Sequence, residues 1–268
     1  MRRLFKLGFL LILPIFILLC GCSSTTRDLD GIKKDDKLVV AVNAEFPPFE
    51  YKDGKEFLGI DIDIIRAYAD YIGVECVISD MDFDATFLSV YSSKADLAIS
   101  GITVNEKRKK SFDFSESYYY SSQIIIVESD SEYMNCKTEE EILNLLSKNK
   151  ASIGVQRGTV GEYYSSGDES WGFDGIADTN TISYDNGALA CADLANGKID
   201  AVILDEAPSR LIAAKYNNLS ILEFILTEEE YAITVRKGNE TLLDSLNEFI
   251  AKIKNDGTLD SIVVKYYE

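Results

Sequence analysis

DLAISGITVNEKRKKSFDFSESYYY, residues 96–120, is the stretch on which the reading of this chain turns. An apolar run, Leu97 to Ile99, leads into Ser100 and Gly101, and a charged segment follows in which Arg108 stands among Lys107, Lys109 and Lys110. Gly101 lets backbone approach a ligand with no side chain in the way. Thr103 offers a hydroxyl and an N–H at what reads as the start of a short helical turn, where unpaired N–H groups favour anions. Arg108 carries a planar fork of donors matched to a carboxylate. The competing reading is a solvated basic helix face with no ligand. On the first reading the stretch is a strand delivering an anion site, and the flanking sequence has to decide.

Towards the N-terminus, Lys37 to Val42 is a short apolar strand, followed by a loop from Asn43 to Tyr51 in which Pro47 and Pro48 forbid regular structure. Phe46, Phe49 and Tyr51 are either pocket walls held on that stiff loop or residues packing back on the core. Gly59 to Gly73 has apolar residues at helical spacing and stops at glycine, as a helix with Gly73 at its C-terminal cap. Val74 to Ile78 reads as a strand, Ala85 to Ser92 as a short helix, and Asp96 to Ser100 as the strand that enters the opening stretch. This strand, helix, strand, helix, strand order predicts a parallel sheet covered by helices. In such sheets ligands sit beyond the carboxyl ends of the strands, and Asn43, Phe46, Phe83, Ser100, Gly101 and Thr103 all lie just past one.

After Tyr120 the pattern begins again. Gln123 to Val127 is an extended strand that crosses to a second lobe, and Thr138-Glu139-Glu140-Glu141 has capping-box form before a helix ending near Lys148. Ala151 to Val155 is a strand feeding the loop Gln156-Arg157-Gly158-Thr159-Val160-Gly161 and a helix from Glu162 to Ser166. The loop repeats the strand, glycine, threonine order of Gly101 to Thr103, without the spacing of a nucleotide phosphate loop. Asn186 to Gly197 is a helix. Ile199 to Leu204 is a strand ending on Asp205, which either meets an ammonium group or caps the helix from Pro208 to Tyr216. Leu219 to Leu226 and Tyr231 to Val235 are strands, the latter crossing back. Asn239 to Lys254 is an amphipathic helix whose leucine and isoleucine stripe is core, and a terminal helix ends at Tyr267.

Composition limits the chemistry. The 268 residues carry a net charge of −18, which repels nucleic acid and anionic headgroups alike. No histidine is present, which removes histidine-based nucleophile activation and metal ligation. The five cysteines show no CxxC spacing, so neither a metal site nor a disulfide framework is indicated, and no cofactor is expected. Residues 1–22 combine Arg2, Arg3 and Lys6 with an uncharged apolar run from Leu7 to Leu19 and end Leu-Cys-Gly-Cys. This is a signal peptide whose ending resembles the lipobox of bacterial lipoproteins, with Cys22 the lipidated N-terminus. Ser23 to Asp36 would be a polar tether.

In order and spacing, Asn43 to Tyr51, Gly59-Ile60-Asp61-Ile62-Asp63, Met81-Asp82-Phe83, Asp96 to Thr103, Arg108 to Ser115 and Asn255-Asp256-Gly257-Thr258 resemble one family. It comprises the polar amino-acid binding proteins of bacterial ABC importers, of periplasmic-binding-protein type II. The resemblance implies an α/β, two-lobed flytrap with a mixed, mostly parallel sheet in each lobe and two crossing hinge strands. Lobe 1 would hold residues 37–119 and 231–268, and lobe 2 residues 120–230. It further implies that Arg108 pairs with a ligand α-carboxylate, helped by backbone at Gly101 and Thr103 and by the loop at Thr159, with Ser100 also in the binding site. Asp205 would receive the α-ammonium, Phe46 and Phe83 would stack on the side chain, and Asn43 and Gln156 would line its far end. The chain departs from members that take basic amino acids in having Asn43 where they often carry an acid. A polar uncharged amino acid is therefore the expected ligand, with a basic one left open by Glu45. The implied protein is a lipid-anchored, monomeric, extracytoplasmic binder and not an enzyme. It would close on its ligand and serve ABC permease subunits. The rivals are a cyclohexadienyl dehydratase-like enzyme on the same fold and an amino-acid sensor lipoprotein.

Overall fold

The chain is described by a computed structural model covering residues 26–267. The signal peptide, Cys22 and the first part of the expected tether lie outside the described residues. The rest of that tether is not a linker. Leu29–Lys34 forms helix α1, with Asp28 accepting from Gly31 N–H at 2.8 Å as N-cap and Ile32 wholly buried. Arg27 anchors the same segment by pairing with the buried Asp96.

Strand β1, Lys37–Val42, is apolar almost throughout because both of its faces are covered. Leu38, Val40 and Val42 point into the larger core, while Val39 and Ala41 face the smaller one. The Pro47-Pro48 region is more ordered than expected. Short strands β2, Glu45–Phe46, and β3, Glu50–Asp53, flank the prolines and pair antiparallel, and β4, Glu56–Leu58, joins them. The proline pair occupies the turn, so the ladder loses no donor there. Gly59 then starts helix α2, Ile60–Ile72, with φ of 128°. A Cβ there would sit 2.1 Å from the carbonyl oxygen of Phe49, so only glycine fits. Gly73 caps the helix in the left-handed conformation, as the sequence predicts.

Strand β5, Glu75–Asp80, helix α3, Phe83–Tyr91, and the two-residue strand β6, Leu97–Ala98, follow. The residues after β6 do not open a helix. Thr103 bridges Tyr231, a 3-10 turn spans Arg108–Lys110, and β7, Phe112–Phe114, is a strand. The chain leaves lobe 1 through β8, Tyr119–Ser121, and enters lobe 2 at β9, Gln123–Glu128. Lobe 2 continues with α4, Glu139–Asn149, β10, Ser152–Gln156, α5, Val160–Ser166, and β11, Asn180–Tyr184. It is completed by α6, Gly187–Ala195, β12, Ala201–Asp205, α7, Glu206–Ala213, and β13, Leu219–Ile221. The predicted strand from Tyr231 to Val235 is two elements. Strand β14, Glu229–Tyr231, pairs antiparallel with β8 between the lobes, and β15, Thr234–Arg236, re-enters lobe 1. Helices α8, Glu240–Asn255, and α9, Thr258–Lys265, close the chain.

The protein is a two-lobed α/β fold of the periplasmic-binding type, and its two sheets repeat one plan. The order is β5-β1-β6-β15-β7 in lobe 1 and β11-β10-β12-β9-β13 in lobe 2. In each, the first three strands are parallel and the fourth runs against the third. The carboxyl ends of β1, β6, β10 and β12 meet at the cleft. Among the described residues no helix is long and apolar enough to cross a membrane.

Candidate functional site

A cavity lies between the lobes, with about 300 Å³ of non-atom space counted together with the solvent open to it. Asn43, Phe46, Phe83, Ser100, Gly101, Thr103 and Arg108 line it from lobe 1, and Gln156, Thr159 and Asp205 from lobe 2. The structure therefore brings all ten sequence-predicted contact residues to one place. Glu50 and Val160 complete the lining, and sequence reasoning missed both.

Arg108 decides the question left open by the basic run. It is 8% exposed, while Lys107, Lys109 and Lys110 are exposed. Its guanidinium carbon lies 4.8 Å from the ring centre of Phe87, 5.0 Å from Trp171 and 5.6 Å from Phe83. These ring faces offset part of its lost hydration. Two of its five N–H groups are taken, by Thr103 O at 2.6 Å and Gly158 O at 3.1 Å. No carboxylate of a described residue forms an ion pair with it, and burial lowers its pKa to about 10, against the nearby Glu229. It remains a cation at neutral pH with donors to spare. Lys107 has a role beyond a solvated face, since it pairs with Asp168 of lobe 2 at 2.9 Å and lies over Tyr163.

Two expected donors point elsewhere. Gly101 N–H is given to Asp61 Oδ2 at 2.8 Å, and the Thr103 hydroxyl to Glu229 Oε2 at 2.5 Å. The bridge between Thr103 and Tyr231 is carried by Val104 N–H and Ala232 N–H, which leaves Thr103 N–H directed away from its partner strand. Gly101 itself adopts φ of 54°, and a Cβ would stand 2.8 Å from the Phe46 ring. The Thr159 hydroxyl donates to Gln156 O at 2.7 Å. Glu45, expected to keep a basic ligand open, does not line the cavity. It accepts from Asn186 across the lobes at 2.8 Å.

Asp205 does not cap α7 with its side chain. It is 4% exposed and accepts from the Tyr231 hydroxyl, with the Ser121 hydroxyl at 3.5 Å. Burial, and then the charge of Glu229, raise its pKa to about 7. Glu229 joins both lobes, accepting from Thr103 of lobe 1 and from Gln123 Nε2 of lobe 2 at 2.9 Å. It is the middle of Glu228-Glu229-Glu230, and only the period-2 burial of β14 marks it out. At the far end, Gln156 Nε2 donates to Asn43 Oδ1 at 3.1 Å and Asn43 Nδ2 to Met81 O at 3.1 Å. Gln156 Oε1 is buried with no partner among the described residues.

The family described as bacterial extracellular solute-binding proteins, family 3, matches residues 38–268. The chain is 29% identical over 242 residues to the L-cystine-binding protein TcyJ of Escherichia coli, covering 89% of this chain and 85% of that one. Its structure is similar to that of the amino acid ABC transporter substrate-binding protein AbpA from Streptococcus pneumoniae bound to L-arginine. That match has a TM-score of 0.77, 32% identity, and coverage of 89% of this chain and 97% of that one. It is also similar to an ancestral amino-acid-binding protein that is a precursor of cyclohexadienyl dehydratase, with a TM-score of 0.76, 29% identity, and coverage of 90% and 99%.

Proposed function

The chain belongs to the bacterial extracellular solute-binding proteins, family 3, and from that membership we propose that it captures a free polar amino acid between its lobes and delivers it to an ABC permease. One observation carries the reading. A buried guanidinium on lobe 1 and a buried carboxylate on lobe 2, neither in an ion pair with a described residue, face one cavity. A zwitterion neutralises both at once, its carboxylate on Arg108 and Thr103 N–H and its ammonium on Asp205. Because these groups come from different lobes, the ligand holds the closed form, with β8 and β14 as the hinge. Micromolar affinity needs about −8 kcal/mol, within reach of two charge-assisted contacts and stacking on Phe46 and Phe83.

The unpartnered Gln156 Oε1 calls for a donor, so the ligand side chain ends in N–H groups. An amide is favoured over a cation because Asn43 and Gln156 are neutral. Trp171 is the sole tryptophan and packs against Arg108, so its emission reports ligands that engage that residue. Titrating the twenty amino acids against Trp171 emission and the melting temperature is expected to single out one or a few with N–H side chains. No response to any of them would sink the reading.

Cellular uptake of the selected amino acid, lost on deletion of this protein, separates delivery to a permease from a sensing role. Cys22 is proposed as the site of a lipid anchor outside the cell membrane. The likeness to the dehydratase precursor supports a second reading as an enzyme. That activity needs a second carboxylate site beside Arg108, and turnover of prephenate or arogenate would establish it.

A further inference from the structure

Lobe 1 holds two acids at the cavity that the binding scheme does not use, Glu50 in its lining and Asp61 behind it, bonded to Gly101. Glu50 and Asp61 are both wholly buried. Glu50 Oε1 accepts from the Ser100 hydroxyl at 2.7 Å, and Asp61 Oδ2 accepts from Gly101 N–H and the Tyr118 hydroxyl, each at 2.8 Å. The other oxygen of each, Glu50 Oε2 and Asp61 Oδ1, is buried with no hydrogen-bond partner among the described residues. The two carboxyls hold adjacent residues, Ser100 and Gly101, and Asp61 N–H donates to Phe49 O at 2.9 Å, which sets the two acids side by side. When ionised, both groups can only accept, so two bare carboxylates side by side away from water repel. One proton between them converts that repulsion into a charge-assisted bond.

We propose that Glu50 and Asp61 share a single proton and act as a positioning pair for the Ser100–Gly101 face of the binding cavity. Glu50 carries the proton and Asp61 the charge. Burial, then the neighbouring Asp61, push Glu50 well above the usual carboxylate range, whereas Asp61, with two donors on its outer oxygen, is raised to about 6. The other titratable groups that bear on the pair are Tyr118, a donor to Asp61, and Asp205 across the cleft, whose charge raises Glu50 further. The shared proton ties three segments together. Glu50 on β3 fixes the Ser100 hydroxyl, which also accepts Asn43 N–H at 3.0 Å, and Asp61 on α2 fixes Gly101. Loss of the proton puts two buried charges side by side and disturbs the wall that carries Thr103 and Arg108.

The inference rests on the amino-acid-binding reading only for its affinity readout. Calorimetry from about pH 6 to about pH 9 on wild type, Glu50→Gln and Glu50→Ala tests it. Glu50→Gln keeps an acceptor for Ser100 and a donor for Asp61 but has no proton to lose, so it should bind about tenfold more tightly than Glu50→Ala. Wild-type affinity should fall with rising pH more steeply than that of Glu50→Gln. Deprotonation of the ligand amine affects both proteins alike, so the difference reads the pair. Superimposable profiles would overturn the proposal. Infrared spectra of wild type labelled with carbon-13 at glutamate carboxyls need neither a variant nor a ligand. They should show a protonated glutamate at neutral pH that disappears in alkali, and the absence of that band overturns the shared proton even if amino acids bind.

Discussion

Replacing Asp205 with asparagine should stabilise the ligand-free protein and weaken binding in the same step. The carboxyl has a pKa of about 7 against an ordinary 3.8, through burial first and then the charge of Glu229. A carboxyl whose pKa rises on folding holds its proton more tightly in the folded chain than in the unfolded one. The folded state is therefore penalised progressively as pH rises from about 4 to about 7, and the penalty is complete above that range. At about 1.36 kcal/mol per pKa unit it is on the order of 4 kcal/mol. Asparagine keeps an acceptor for the Tyr231 hydroxyl and removes the charge. Without ligand, Asp205→Asn should melt roughly 5–15 °C above wild type at about pH 8 and converge with it at about pH 4. Removing one member of a buried charge pair costs about 2–5 kcal/mol, so affinity for the amino acid should fall roughly 30- to 5000-fold. Scanning calorimetry at the two pH values, with and without ligand, reads both effects. A variant that melts no higher than wild type at about pH 8, or binds as well, refutes the assignment of Asp205 as an uncompensated acid awaiting an ammonium.

Two further outcomes follow from the N-terminal region. Ile32→Ala should lower unfolding stability by about 2–5 kcal/mol in urea titration, because Ile32 is buried in the main core; an unchanged midpoint would return α1 to the status of a tether. Cys22→Ala should move the protein from the membrane fraction into the medium or periplasm. Mass spectrometry of the wild-type N-terminus showing an unmodified chain beyond Cys22 would end the lipoprotein reading.

The parts of the fold that could be read from sequence are those where local pattern and burial agree. Lys37–Val42 is apolar because both faces are covered, and the stripe on α8 buries Leu242, Leu246, Phe249, Ile250 and Ile253 together. Most of the ten cavity residues were readable for a related reason, since they lie at or just past strand ends that face the cleft, as Gln156 and Asp205 do at the ends of β10 and β12, while the role of Gln156 came from the family resemblance. What escaped depends on partners remote in sequence. Helix α1 has few apolar residues and is held by Arg27 reaching Asp96. Edge strand β11 is only half buried, which leaves no clear alternation. Glu50 reads as a loop acid and Asp61 as one carboxylate in an alternating Ile-Asp pattern. Their burial is decided by Ser100, Gly101 and Tyr118, none of which is local.

The charges of the site also explain why ligand and hinge should act together. In the closed form, Arg108 is buried with unused donors and Asp205 is buried with no cationic partner among the described residues. The second of these alone is a penalty on the order of 4 kcal/mol above about pH 7. Ligand at a hundred times its Kd stabilises by about 2.7 kcal/mol, a quantity of the same size. The group bonded to Asp205 is Tyr231, which ends crossing strand β14, stacks on Tyr119 of β8 at 5.8 Å and meets Phe49 edge-on at 5.1 Å. Neutralising Asp205 thus acts on a side chain packed within the proposed hinge. A ligand that fills the cavity without an ammonium leaves that penalty in place, and the closed form gains correspondingly less from it.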